Sequence, residues 1–409
     1  MNNAEEELHF VPNAVLTVDQ IQTFLKDGVL VVDNILSADQ IQSALQGLNE
    51  SLFTRAGVDT ANLDETGHGL VNLSSTNGSG GVLDLFYEDW KCEIATNPKL
   101  FSATTQLWEA AYCNQGESLN DLLTPSEEKD KVFKWHPYGA FDVRTGFCYV
   151  DRIGYRLPTE LATKLGSDLQ EQQQQLRDPT SKKTKKMKKQ FAVQRSLTPH
   201  LDCCPDTFFS EGKSKWRPIQ CFVSLTDTLN ANEGGFEAAK GFHRNFHRWT
   251  KERLPTRQVV KHKQQKQQQP GRGKCIVMEE EIFFPAPCIG DYTHIRPVED
   301  RAIMEQVQHV PVRAGSAVFF DNRIPHANAY RHNGTEPRAV VYCSFLPNVA
   351  INQPFVAQQL FKWKRGVPPN DQWINMEAPF GDVEDRDVEL AHPSWLTPLA
   401  KKLMGIDPW

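Results

Sequence analysis

With 409 residues, 39% hydrophobic and 23% charged, and with 25 Gly and 25 Pro, the chain has the composition of a loop-rich globular protein, which excludes a disordered or fibrous one. A formal net charge of −6 excludes a global basic field able to gather nucleic acid. No stretch approaches the roughly 20 apolar residues of a membrane helix, and the acidic start MNNAEEELHF lacks the basic and apolar segments of a secretory signal.

A cytoplasmic protein without a membrane partner is therefore expected. The nine cysteines are odd in number, and their one close pair, Cys203 and Cys204, is adjacent instead of spaced as in a C-x-x-C motif, so reduced thiols are expected.

Thr17 opens a capping box, T-x-x-Q, and Ile21, Phe24 and Leu25 follow at helical spacing until Asp27 and Gly28 end the helix. The short apolar run VLVV predicts a strand. Ser37 opens a second capping box, and Ile41, Leu45, Leu48 and Leu52 form one stripe on a second helix. Residues 54–83 are rich in Gly, Ser, Thr and Asn without periodicity, which predicts a loop crossing the surface or covering a site. A third helix starts at Asn97 with Pro98 at its first position.

From about residue 145 the punctuation shifts to short β-like runs, among them GFCYVDRIGY, LTPHLD, RPIQCFVSLTD, SAVFF and RAVVYCSF. Strands after a helical region predict a mainly β, α+β fold: a sandwich or barrel with helices packed on one face. One domain over 1–409 is expected, with helical support in 1–145, the β core in 146–346 and an extension in 347–409. Two Gln- and Lys-rich segments, near 168–190 and 257–274, carry too few apolar residues to offset the entropy of ordering and are expected to be mobile insertions. Within the first, the run Lys182 to Lys189 resembles a nuclear-localisation or nucleic-acid patch; its competing reading is a solvated insertion.

The chemistry concentrates in PHLDCCPD. His200 and Asp202 stand two apart in a β-like run, so both side chains share one face of the strand. A third donor follows the strand SAVFF, in FFDNRIPHANAY, as His326. Two imidazoles and one carboxylate make the facial triad of non-haem Fe(II) oxygenases, which leaves positions open for a 2-keto acid and dioxygen. The far carboxylate of 2-oxoglutarate needs a fixed cation, and a guanidinium fork suits it better than an ammonium. Arg338, opening the strand after the His, is the candidate; Arg331 lies in a turn.

The ordered set of motifs resembles the phytanoyl-CoA dioxygenase-like family of Fe(II)/2-oxoglutarate oxygenases. KDGVLVVDNILSADQI is similar to its entry segment, PHLD to its first metal motif, and IQCFVSLTDTLNANEGGFEAAKGFHR to its central strand and Gly-rich turn. VRAGSAVFFDNRIPHANAYRHNGTEPRAVVYCSF is similar to its distal histidine and arginine segment. The resemblance covers roughly 17–46 and 195–346. It implies a double-stranded β-helix of jelly-roll or cupin type, iron on His200, Asp202 and His326, and 2-oxoglutarate on Arg338.

Two departures stand out. Asn328 occupies the position where the family often has a Ser that helps hold the cosubstrate, and an amide can still donate there. Lys240 to His243 replace a Pro-Gly-Ser-His turn, with His243 read as structural.

On the middle strand, Gln220 alternates with Phe222 and Ser224, so it faces either the cofactor or solvent. From YVDR, Tyr149 and Asp151, or else Val150 and Arg152, face inward, and Arg152 and Arg156 are candidates to meet an anionic substrate. Packing is expected of Cys203 and Cys204. The function expected is oxidation of a C–H bond in a small organic substrate, releasing succinate and CO2. Against it stand a catalytic zinc hydrolase, which shares the ligand count, and a non-catalytic metal-binding barrel acting through its basic insertion. The lid is expected among 54–83, 275–300 and the tail after 366.

Overall fold

Both capping boxes form. The Thr17 hydroxyl accepts from the Gln20 backbone N–H while the Gln20 side chain accepts from the Thr17 N–H, starting α1 (Val18–Asp27), which ends on left-handed Gly28. Ser37 and Gln40 repeat the device at α2 (Ala38–Ala56). The computed structural model describes residues 14–112, 141–175, 192–205, 208, 215–253, 256–265, 275–284, 292–369 and 393–409, with the backbone alone at 172–175, 256–265 and 275–284. Next come α3 (Leu63–Thr66), α4 (Asp89–Ala95) and α5 (Pro98–Ala111), the last capped by Asn97 and opened by Pro98.

The strands build two antiparallel sheets. The larger runs β1 (Val29–Val32), β11 (Ala317–Asp321), β5 (Ile219–Ser224), β13 (Arg338–Pro347), β3 (Gly146–Arg156) and β2 (Val82–Leu83). The smaller runs β10 (Val307–His309), β6 (Phe236–Ala239), β12 (His326–Asn328), β4 (His200–Leu201) and β9 (Thr293–His294).

Period-two alternation divides the larger sheet between two cores. Ala317, Phe319, Cys221, Val223, Val341 and Phe345 turn outward to a core shared with Leu48, Leu52, Leu100, Phe101 and Trp108 of α2 and α5. Val318, Phe320, Phe222 and Val340 turn inward to meet Phe236, Ala238 and Ile295 of the smaller sheet's layer. The protein is thus mainly β with packed helices: a double-stranded β-helix core supported by N-terminal helices.

The two Gln-rich segments depart from expectation. Helix α6 (Thr159–Gln175) continues through 168–175, because Leu161, Leu165 and Leu169 form a four-residue stripe packed on the helix-side core, and Gln is a competent helix former. The second segment enters a two-stranded ribbon, β7 (Thr256–Gln265) against β8 (Cys275–Phe284), in unbroken register from Thr256↔Phe284 to Gln265↔Cys275. β-branched Val259, Val260, Ile276, Val277 and Ile282 favour the extended backbone, and the ladder satisfies the backbone groups without a core. Lys182 to Lys189 and residues 266–274 lie outside the described residues. Among the described residues no helix is long and apolar enough to cross a membrane.

Candidate metal centre

Strand pairing brings the two histidines together. In the β4–β12 pair His200 stands directly opposite His326, which also pairs with Ala238 of β6. Their ring centroids are 4.5 Å apart. Asp202, just past β4, sets one carboxylate oxygen 3.6 Å from His200 Nε2 and the other 3.6 Å from His326 Nε2. One ligand atom from each residue lies within 4.8 Å of the others, and among the described residues this is the group of three His, Cys, Asp or Glu side chains so arranged.

The protonation states suit a cation. His200 Nδ1 donates to the Thr198 carbonyl at 3.1 Å and His326 Nδ1 to the Ile324 carbonyl at 2.9 Å. Each bond fixes the tautomer that turns a bare Nε2 lone pair to the centre, the usual way a protein orients a metal-binding imidazole. Burial, reinforced by His326, pulls the His200 pKa down to about 4, so it is neutral at pH 7. Burial opposes ionisation of Asp202, but contacts with His326 and His200 and the charge of Arg217 outweigh it and hold the carboxyl well below the usual range. Two imidazole nitrogens and one carboxylate fit a divalent ion with positions left open.

The triad lies in the wall of a cavity of about 630 Å³, within the roughly 300–1,000 Å³ of small-molecule sites. Phe222, Phe236, Phe320 and Tyr342 line its interior, while Ser75, Thr76, Asn77 and Ser79 of the loop after α3 line it from the other side. Part of 54–83 therefore covers the site, and Tyr292 and His294 contribute from 275–300.

Gln220 faces the cavity, 5% exposed, with its Nε2 unpartnered. Arg338 lies behind this wall, 2% exposed, with its guanidinium 5.4 Å from the Phe222 ring centroid and Nη1 donating to Asn328 Oδ1 at 2.9 Å. Its Nε has no partner. Burial lowers its pKa and Tyr342 opposes that shift.

A bulge decides the contribution of β3. The β13–β3 register jumps from Val341↔Ile153 to Cys343↔Val150, so Asp151 and Arg152 together face Tyr342, and both line the cavity. Strict alternation allows only one of them. Arg152 Nε donates to Asp84 at 2.7 Å, and Arg217 approaches Asp151 at 3.4 Å. Tyr149, a candidate for substrate, is not in the lining of this cavity: its ring stacks on Phe355 at 5.5 Å and lies 4.1 Å from the Arg217 guanidinium. Arg156 is not in the lining either. It stands opposite Arg338 in register and donates through Nη2 to the Tyr330 carbonyl.

His243 Nε2 donates to the Leu25 carbonyl at 3.1 Å, and the ring is absent from the cavity lining. Cys203 packs in the inner core, and Cys204 is disulfide-bonded, correcting the expectation of reduced thiols throughout. Adjacent Cα atoms, about 3.8 Å apart, are too close for an unstrained bridge. A distant partner sulfur is therefore required, and spacing does not reveal it.

Two further contributors escape sequence reasoning. Tyr292 stacks on His200 with centroids 4.8 Å apart and planes at 27°; no motif marks it. Asp84, partner of Arg152, follows the Gly-rich loop, and that loop's composition was the available signal.

No family model and no curated protein sequence matches the chain. Among solved structures, the chain is similar to the GlcNAc-inducible gene 2 product of Candida albicans, a DUF1479 protein, at 14% identity and a TM-score of 0.59, covering 96% of this chain and 77% of that one. It is also similar to a hypothetical protein from Escherichia coli, at 13% identity and a TM-score of 0.51, over 95% and 82% of the two chains. A weaker likeness, with a TM-score of 0.38 and 12% identity, joins 81% of this chain to 84% of the non-heme alpha-ketoglutarate-dependent carbocyclase SnoK from nogalamycin biosynthesis. At such identities the likeness is one of fold.

Proposed function

We propose that the protein is an Fe(II)- and 2-oxoglutarate-dependent dioxygenase that oxidises a C–H bond of a small organic substrate. The observation that carries this reading is the convergence of two carbonyl-anchored imidazoles and one ionised carboxylate on a single point in the cavity wall. His200, Asp202 and His326 would hold the iron through Nε2, a carboxylate oxygen and Nε2. When bound, iron with 2-oxoglutarate and dioxygen supplies the oxidising chemistry: one oxygen atom goes to the substrate and the other to succinate, with loss of CO2.

The chain's own groups have separate tasks. Arg338 supplies a buried cation for the far carboxylate of the cosubstrate, and Asn328 holds its fork. Gln220 offers an unused amide donor to whatever lies against β5. Phe222, Phe236 and Phe320 exclude water from the metal face, and Arg152 and Asp151, paired with Asp84 and Arg217, line the cavity for the substrate. The resemblance to phytanoyl-CoA dioxygenase-like enzymes supports the same assignment. A regulatory role would rest on Lys182 to Lys189, which lie outside the described residues.

The test is succinate formation from anaerobically prepared protein given Fe(II), 2-oxoglutarate and air. Wild type should exceed His200→Ala and Asp202→Ala by about 100-fold or more, as expected when a ligand of the catalytic ion is lost. Equal succinate from all three would overturn the proposal.

A further inference from the structure

The amide of Asn328 touches two parts of the molecule. Its Oδ1 accepts from Arg338 Nη1 at 2.9 Å, and its Nδ2 donates to the Gly80 carbonyl at 3.2 Å and to the Tyr342 hydroxyl at 3.4 Å. Gly80 belongs to the strap of residues 74–82, of which Ser75, Thr76, Asn77, Ser79 and Val82 line the cavity. Asn77, Gly78, Gly80 and Gly81 all have positive φ, between 53° and 73°, and this sharp path directs the Gly80 carbonyl inward. The strap is tied also to the chain leading into the first histidine: Gly80 N donates to the Arg195 carbonyl at 2.7 Å and Arg195 N to the Gly78 carbonyl at 2.8 Å.

We propose that Asn328 is a positioning residue that couples cosubstrate binding at Arg338 to closure of the 74–82 strap over the substrate cavity. This rests on the dioxygenase reading. The amide is a rigid plane with its acceptor and donor at one end, so an orientation set at Oδ1 sets Nδ2 as well. With its Nε unpartnered, the Arg338 fork is incompletely anchored. A carboxylate that completes the anchoring fixes the Asn328 plane and aims its donor at Gly80, so the strap's hydrogen bond forms at lower entropic cost. Substrate then meets a tightened strap only after the cosubstrate is in place.

Asn328→Asp separates the two halves of the device. The carboxylate still accepts from Arg338 but sets an oxygen against the Gly80 carbonyl, where a donor is required. Amide hydrogen exchange would be followed on anaerobic Fe(II) protein with and without 2-oxoglutarate, and cosubstrate binding measured by calorimetry. In wild type, 2-oxoglutarate should slow exchange at residues 78–81 about tenfold, the effect of roughly one net hydrogen bond. In Asn328→Asp, compared at 2-oxoglutarate concentrations that saturate each protein, the strap should no longer respond. Equal slowing in Asn328→Asp, or a wild-type strap indifferent to bound 2-oxoglutarate, overturns the coupling. The second outcome needs no variant to fold. Failure of wild type to bind 2-oxoglutarate at all would instead remove the dioxygenase reading, and the coupling with it.

Discussion

Arg338 and Arg323 show how one guanidinium serves binding and another serves structure. Arg323 is 2% exposed and grips Asp321 through Nε at 2.7 Å and Nη2 at 2.6 Å, with the Tyr112 hydroxyl completing the network. The Asp321 carboxyl is held below its usual range, since Arg323 outweighs the burial that opposes ionisation. Arg323→Met would strand that buried carboxylate, and urea denaturation should show a loss of about 3–5 kcal/mol. Arg338 has a neutral amide and Tyr342 beside it, and among the described residues no acidic side chain hydrogen-bonds to it. Arg338→Lys should keep the charge but lose the fork, raising the KM for 2-oxoglutarate about tenfold with little change in stability. An unchanged KM would remove Arg338 from the cosubstrate site.

Among the elements, β3 and the strap behind it shape the cavity through local irregularity. The bulge opposite Tyr342 inserts one extra residue and thereby turns Asp151 and Arg152 to the same side. Gly81, at φ +73°, abuts β3 so closely that an added Cβ would stand 2.8 Å from the Arg156 Cα. Backbone cannot yield as a flexible side chain does, so Gly81→Ala should destabilise by about 2 kcal/mol or more from clash and strain together. Its strap amides should also exchange faster. Wild-type stability in Gly81→Ala would mean that the strap is not held against β3.

Across the whole molecule, burial of histidines gives stability a pH dependence. His243, at 4% exposure, and His332, at 3%, both have pKa values brought down to about 4 by burial first; Asp321 opposes the shift at His243, and Arg156 adds to it at His332. Their ordinary value is 6.5. Between the two values the unfolded chain binds more protons than the folded one, so stability is complete above about pH 6.5 and falls as the pH drops toward 4. His243 alone contributes a slope of up to about 1.4 kcal/mol per pH unit in that window. Chemical denaturation at pH 7, 6 and 5 should show the loss, and His243→Gln should flatten it. A slope unchanged by that substitution would contradict the assignment.

Much of this protein was legible in its sequence because the signals are local. The capping boxes at Thr17 and Ser37, Pro98 after Asn97, and the two-residue spacing of His200 and Asp202 depend on backbone geometry within a few residues. Order along the chain added His326 and Arg338, since a strand ending in a ligand and returning as its neighbour is a topological pattern. The sequence by itself thus determined the candidate ligand set and the two-layer β character, and left the Gly-rich loop open between crossing the surface and covering a site. Only the tertiary structure decided which neighbours those residues acquire. The bulge that presents Asp151 and Arg152, the withdrawal of Tyr149 beneath Arg217, the stacking of Tyr292 on His200 and the reach of Asn328 to Gly80 join residues distant in sequence or break strand periodicity. Such contacts arise from register and packing across sheets, and no local spacing encodes them.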